Sequence, residues 1–416
     1  MKEDDLIACE ECGLVSSIPH MQEGFKAKCS RCHHTLTTSI QSPRQTLAAY
    51  SVACLMMLVL SISFPFMSFS VQGVTQEISL LQTVTMLDKF KHSFLALILL
   101  FTVFVLPAIY IMSVLYLYTL KGKGLPNELP KHIKYLGRIV FWAEPWLMAD
   151  VFLIGVLVSL IKIAALADIA MGYSFWAFCG YTALVVKCIS LVDRSWLWNS
   201  LSPLRHIDNV DSGDDHHSRN HSSCRVCNQV NAMTAIRCCR CNARIVHYAP
   251  AASLQKAWAL LLTSAVFYFP ANLYPIMYTV SLGNESPSTI MGGIILLWQL
   301  GSYPIAAIIF IASVFIPLAK MLVLAWIFVI AKRINASSEH TALKQQQLYR
   351  VTEFIGRWSM IDIFVVAILV ALVQLQSLMA IYPGPASVSF AAVVIFTMLS
   401  AMAFDSRMLW PAKTRI

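Results

Sequence analysis

The stretch WLMADVF, residues 146–152, returns as WSMIDIF at 358–364, a shared W-x-M-x-D-(V/I)-F pattern at an offset of 212. At the same offset, DRSWLW at 193–198 is answered by DSRMLW at 405–410. Two matches at one step within 416 residues read as a tandem duplication, because self-similarity at a fixed spacing is the mark of a repeated structural unit. Other landmarks keep nearly the same step: Phe64-Pro65 against Phe269-Pro270 at 205, Pro107 against Pro317 at 210, and Cys9 against Cys224 at 215.

Each repeat carries long apolar runs. With 57% hydrophobic and 13% charged residues, the chain lies far from the composition of a soluble globular domain and reads as an all-α polytopic membrane protein. Runs near the ~20 residues that cross a bilayer core fall at 46–69, 92–119, 146–168, 173–193, 256–280, 302–330, 359–381 and 386–404, which predicts eight spans, four per repeat. The intervening 71–91 and 283–300 read as loops carrying an interfacial helix. An even number of spans per repeat makes the two halves parallel, related by an axis along the membrane normal.

Of the 31 Lys and Arg residues, 26 fall in the N-terminal tail, 121–138, 194–256, 332–357 and the C-terminal tail, which the positive-inside rule assigns to the cytosol together with both termini. Topology thus accounts for the formal charge of +9, and no nucleic-acid partner is needed. No signal peptide is read, since some 45 polar residues precede the first apolar run.

Cys9-x-x-Cys12 with Cys29-x-x-Cys32, and Cys224-x-x-Cys227 with Cys238-x-x-Cys241, form two quartets in those cytosolic segments. Paired Cys-x-x-Cys knuckles at such spacing close a tetrahedral four-thiolate site, so each quartet predicts a small β-rich zinc ribbon; a four-thiolate iron centre has the same geometry, and spacing does not separate the two. Disulfides do not persist in a reducing compartment. In the run RCCRC, Cys238 rather than Cys239 preserves the two-residue gap, while His33, His34 and His247 read as exposed polar residues and Cys54, Cys179 and Cys188 as small buried hydrophobes. The domain reading is ribbon 1 at 1–45, a first membrane domain at 46–200, ribbon 2 at 201–250 and a second membrane domain at 251–416.

Ionisable groups deep in spans are costly and tend to mark a pathway. Lys320 stands twelve residues before Lys332 and shares a helix face with Ser313 and Pro317. Lys162, with Ser159 on its face, occupies a non-equivalent span of the other half, so the two lysines are expected to meet in one polar cavity, with hydroxyls from Thr397 and Ser400. Lys187 is placed to snorkel to the interface. Asp150 and Asp362 sit in first helical turns, where the helix dipole favours a carboxylate, and are candidates for anchoring or proton relay.

Tandem ribbons each leading into four spans, the box after Gly356-Arg357, Phe-Pro-Ala-Asn at 269–272, Pro317-x-x-Lys320 and Asp405-Ser406-Arg407 together resemble the paraquat-inducible protein A family. That resemblance implies a bacterial inner-membrane protein working with a periplasmic MCE-domain partner that forms a tunnel, with membrane lipids as the substrate. The first half departs from the pattern: IVFWAEP separates Gly137-Arg138 from Trp146, whereas Arg357 abuts Trp358. No nucleophile box, phosphate loop or paired-carboxylate pattern suggests an enzyme. The competing readings are a membrane redox protein using its thiolate quartets and a passive scaffold for a periplasmic partner.

Overall fold

Proline sets the start of several long helices, since a fixed φ and a missing N–H suit the first turn. A computed structural model describes residues 5–18, 21–71, 74–89, 93–120, 130–164, 168–207, 210–218, 220–281, 284–299, 301, 303–332, 339–372, 374–375 and 379–411. Ribbon 1 consists of hairpins β1 (Asp5–Ala8) with β2 (Val15–Ile18) and β3 (Lys26–Lys28) with β4 (Thr35–Thr38). The first half follows with α1 (Pro43–Ser63), β5 (Met67–Val71), β6 (Val74–Ile78), α2 (Leu80–Lys89), α3 (Ser93–Leu99) and α4 (Leu106–Thr119). It continues through α5 (Lys131–Ala143), a 3-10 turn at Glu144–Trp146, α6 (Ala149–Ala164), β7 (Asp168–Met171), α7 (Tyr173–Leu191) and α8 (Arg194–Leu201).

After ribbon 2, with β8 (His221–Ser223) and β9 (Val230–Ala232), the order recurs. It runs α9 (Pro250–Leu273), β10 (Met277–Ser281), β11 (Asn284–Ser288), α10 (Ile290–Gln299), α11 (Tyr303–Phe310), α12 (Ile316–Ala331) and α13 (Glu339–Trp358). Then come α14 (Ile361–Leu372), β12 (Gln374–Leu375), β13 (Met379–Pro383), α15 (Pro385–Ala403) and a 3-10 turn at Ser406–Leu409.

The repeat therefore extends to local detail. Pro107 and Pro317 each follow a π-helical turn, Leu100–Val105 and Ile311–Phe315. A wider i→i+5 turn just before a residue that cannot donate absorbs the missing hydrogen bond without breaking the helix.

One expectation is corrected and a second is met in part. Strands are not confined to the ribbons: each half also carries an antiparallel sheet, ordered β6-β5-β7 and β11-β10-β13-β12, at the end of the helices away from the ribbons. These strands take up 277–280 and part of 374–381, which the sequence reading placed in spans, because a continuous apolar run does not by itself separate a strand from a helix. Second, among the described residues six helical stretches are long and apolar enough to cross a membrane: Pro43–Ser63, Ala96–Thr119, Lys131–Leu160, Tyr173–Leu191, Ile311–Ala331 and Pro385–Ala403. Helix α14 has 12 residues, about 18 Å, and α9 has 24 but dilutes its apolar face with Gln255, Lys256 and Asn272.

The halves join where equivalent helices meet, α6 against α14, which places the axis relating them between these two. Contact is close because Gly155 and Ser159 form a small-x-x-x-small face, the means by which helices approach without a hydrophobic drive from lipid. A Cβ on Gly155 would lie 3.1 Å from Phe364 Cβ and 3.5 Å from the Ile361 carbonyl oxygen. Ser159 Oγ donates to Gly155 O at 2.8 Å and reaches Val365 O at 3.4 Å across the junction. Phe152 fills the remaining space, edge-on to both Phe178 and Phe364 at 5.5 Å.

Both ribbons sit at the other end and touch each other. Ala8, Val15, Val210 and Val230 form an apolar contact, and Val15 N donates to Asp214 O at 2.8 Å. Two aspartates at the 212-residue offset fasten the ribbons to the helix exits. Asp193 accepts from Thr38 N at 2.6 Å and Thr37 Oγ1 at 3.1 Å in ribbon 1 while capping α8. Asp405 is held by Arg225 of ribbon 2 at 2.7 Å and by Arg407 at 2.6 Å. Burial alone would raise the Asp405 carboxyl, but these arginines hold it below the ordinary range.

Replacing Gly155 with Leu should lower the thermal midpoint of the purified protein by the equivalent of about 3 kcal/mol, the cost of overpacking a tight contact. Gly180→Ala, whose added Cβ meets nothing nearer than 3.8 Å, should leave the midpoint unchanged.

Candidate functional site

A Cys-x-x-Cys segment closes into a knuckle only if the chain reverses just after the second cysteine, so that residue must enter the left-handed region. All four knuckles do so, at Gly13 (φ 74°), His33 (φ 58°), Asn228 (φ 56°) and Asn242 (φ 57°), three residue types that accept this conformation readily. Each reversal is closed by a bond to the first cysteine's carbonyl, from Gly13 N at 2.9 Å and from His33, Asn228 and Asn242 N at 3.0 Å.

The eight predicted thiolates converge as two buried quartets. Sulfur separations are 3.5 Å for Cys9–Cys32 and Cys12–Cys29, 3.5 Å for Cys224–Cys241 and 3.6 Å for Cys227–Cys238. A tetrahedral ion with bonds of ~2.3 Å sets sulfurs ~3.8 Å apart, so both quartets fit a closed four-coordinate metal with no open position. Cationic and N–H groups surround them: Arg240 N points at Cys238 Sγ at 3.4 Å, and Arg31 is buried against Asp215 at 3.3 Å and over the Trp410 ring. Cys239 is exposed and His33 is exposed, as expected, but His34 is half-buried and takes a structural role.

That role lies in the two acids enclosed by the first knuckle, which the sequence reading passed over. Glu10 pairs with Arg194, at the start of α8 in the first half. Its neighbour Glu11 accepts from Arg350 Nε on α13 of the second half, at 2.7 and 3.0 Å, and from Gln346 at 3.3 Å. His34 lies between them, 3.2 Å from Glu10 and 3.1 Å from Glu11. Burial would raise the Glu11 carboxyl, but His34 and Arg350 outweigh it and hold it low. Arg350 also donates to Cys32 O at 3.0 Å.

Arg350 forms part of a cavity of about 270 Å³, lined also by Glu144, Pro145, Lys320, Glu353, Phe354, Arg357, Met398, Ala401 and Met402. Lys320 is 3% exposed, and its Nζ donates to Thr397 Oγ1 at 3.1 Å, which brings together two of the predicted polar residues. Gly356 makes room for it: a Cβ there would stand 2.6 Å from the ammonium nitrogen.

The other predicted residues lie elsewhere. Ser159 belongs to the helix junction, Ser313 is buried in a π-helical turn, and neither lines the cavity; Asp150 is half-buried in the first turn of α6. The side chains of Lys162 and Asp362 lie outside the described residues, so the expected pairing of Lys162 with Lys320 in one cavity does as well. Ser400 bonds the Ala257 carbonyl oxygen at 2.8 Å, joining α15 to α9, and Lys187 is exposed.

Missing from the sequence reading were Glu144, Arg350, Glu353 and Arg357. Gln346, Arg350, Glu353 and Arg357 are spaced i, i+4, i+7 and i+11, one face of α13, and that spacing was the available clue.

Elemental analysis of the purified protein should find two metal equivalents per chain. Cys12→Ser with Cys32→Ser should leave one, and should also lower the melting midpoint, because metal binding to such a site contributes folding energy. Unchanged melting in that variant would mean that the first quartet does not brace the helices.

The paraquat-inducible protein A family model matches the chain twice, over residues 44–202 and 254–413. The intermembrane transport protein PqiA of Escherichia coli (strain K12) is 40% identical over 406 residues, 97% of this chain and 95% of that protein. The lipophilic envelope-spanning tunnel protein A of the same organism is 28% identical over 413 residues, 98% of this chain and 92% of its own. A probable intermembrane transport protein of Haemophilus influenzae is 26% identical over 416 residues, 97% of this chain and 95% of its own. No solved structure matches. With both repeats matched, the chain belongs to the paraquat-inducible protein A family.

Proposed function

We propose that this protein is a multi-pass component of a bacterial inner membrane that moves phospholipid-class molecules between membranes, passing them to or from a periplasmic MCE-domain tunnel. The observation that carries the reading is the buried ammonium of Lys320 in a charged cavity among otherwise apolar helices. A lysine there is costly unless it meets a polar ligand or a moving charge. Relatives bearing the names intermembrane transport protein and lipophilic envelope-spanning tunnel protein favour lipid movement over a purely anchoring role.

In this reading each half crosses the membrane four times, α9 and α14 completing the set beside the six long apolar helices. Leu262, Val266, Phe269 and Leu273 support this for α9, forming an exposed apolar stripe suited to acyl chains. The halves are parallel, with ribbons and termini cytosolic, and the domains run 1–45, 46–200, 201–250 and 251–416. The quartets hold zinc, the four-thiolate metal that needs no redox partner and contributes structure alone.

Lys320 with Thr397 then gives the polar path its cytosolic station. Lys162, Ser159 and Ser313 stand further along it, and Asp150 and Asp362 are placed to relay protons. The chain has no nucleotide-binding loop, so uphill movement would draw on an ion gradient or on another subunit.

Lys320→Met should reduce transfer of labelled phospholipid between inner and outer membrane fractions at least ~10-fold, a ~1.4 kcal/mol effect at minimum. Expression, metal content and partner association should be unchanged. Full transfer by a well-folded Lys320→Met protein would refute the site.

A further inference from the structure

The cavity beside Lys320 keeps charges of both signs apart. Glu144 and Glu353 contribute two carboxylates, and Lys320 and Arg357 two cations, while the charge of Arg350 is already taken by Glu11. Among the described residues, none of Glu144, Lys320, Glu353 and Arg357 enters an ion pair. Arg357 lies instead over the Phe354 ring, 5.6 Å from its centroid. Unlike charges near a low-dielectric boundary attract strongly, so four of them held around an open space rather than collapsed into pairs are arranged for a ligand that carries both signs.

One acid comes from an unexpected source. The segment IVFWAEP, which departs in sequence from its counterpart in the second repeat, ends in Glu144-Pro145, and these two residues are the first half's contribution to a cavity otherwise built by α12, α13 and α15. This segment thus delivers a carboxylate across the junction to the face of α13 that carries Glu353.

Size and level narrow the ligand. A volume of about 270 Å³ is below the ~300–1,000 Å³ that encloses a drug-sized molecule, so it takes a headgroup but not acyl chains. The cavity lies against the last two turns of α15, which ends at Ala403, and Arg350 connects it to ribbon 1. With the ribbons in the cytosol, as proposed above, this corresponds to the headgroup level of the ribbon-side leaflet. Met398, Ala401, Met402 and Phe354 give it an apolar border.

We propose that this cavity is a headgroup subsite for a zwitterionic phospholipid, with the phosphate between Lys320 and Arg357 and the ammonium between Glu144 and Glu353. The glycerol and chains leave past Phe354 and Met402 into the bilayer. Lys320 gives one proton to Thr397 and keeps two for the phosphate. The subsite rests on the lipid-transport reading and names the substrate class for it.

Native mass spectrometry of the full-length protein, offered phosphatidylethanolamine and phosphatidylglycerol with identical chains, tests the proposal. Wild type should retain the ethanolamine lipid about 10-fold better, since phosphatidylglycerol leaves both carboxylates without a cation. Glu144→Gln with Glu353→Gln should remove that preference, and Arg357→Gln should weaken both lipids, in proteins that keep two metals and a normal melting midpoint.

Equal retention by wild type, or a preference that survives the double substitution, overturns the subsite and leaves lipid transport standing. Glycerophosphoethanolamine, which lacks chains, should compete poorly, and competition equal to that of the lipid would overturn the lipid as the source. Selective retention in a protein that transfers no lipid between membranes would support the subsite and contradict the transport reading.

Discussion

Two adjacent carboxylates inside one metal knuckle hold the ribbon end of the molecule together. In Cys9-Glu10-Glu11-Cys12 the backbone is fixed at both ends by thiolates that converge on one point, and the acids between them face different halves of the duplication. Glu10 takes Arg194 of the first half, and Glu11 takes Arg350 of the second. Charge-assisted bonds in partly buried positions are worth about 1.5–3 kcal/mol each, against at most about 1 kcal/mol for an exposed pair. With Arg350 still 29% exposed, the lower part of that range applies. The knuckle matters more for position than for energy, because it sets one wall of the Lys320 cavity relative to the four-cysteine cluster.

From that fixed point the asymmetry of the halves becomes intelligible. Duplication gave the halves a common element order, yet the Lys320–Thr397 pair has no copy in the first half: Tyr110 stands where Lys320 would, and Val185 where Thr397 would, both buried. The first repeat instead carries Glu144 at the position of Gly356 and donates it to the second half's site. Ribbon 1 likewise packs on the last turns of α12 and on α13, while ribbon 2 binds the first half through Arg240 to Ser202 and Asn199. Each ribbon thus contacts both halves, and the halves cannot separate at this end without detaching from a ribbon.

The repeats and the thiolate quartets were legible in the sequence because each rests on a fixed spacing, and Lys320 stood out as a residue type that its setting makes expensive. The outer sheets were not, since 374–383 is as apolar as a helix and only pairing with β10 decides its form. Arg350 and Arg357 were counted as topological charge, which is what cytosolic arginines usually are. Nothing in their spacing revealed that Glu11, 339 residues earlier than Arg350, would turn α13 so that its Glu353 and Arg357 face a cavity. Gly356 was read as part of a motif, when its use is the absence of a side chain above the Lys320 ammonium.

In the proposed arrangement, the ribbon-braced end of the protein presents a charged cavity to a lipid headgroup. An experimental structure of the protein in nanodiscs of its own lipids tests this most directly. Density for a phosphate is expected within hydrogen-bond reach of Lys320 and Arg357, with chains running out past Phe354. A cavity holding only water, with Glu353 or Glu144 closed onto Lys320 in a direct ion pair, would contradict it.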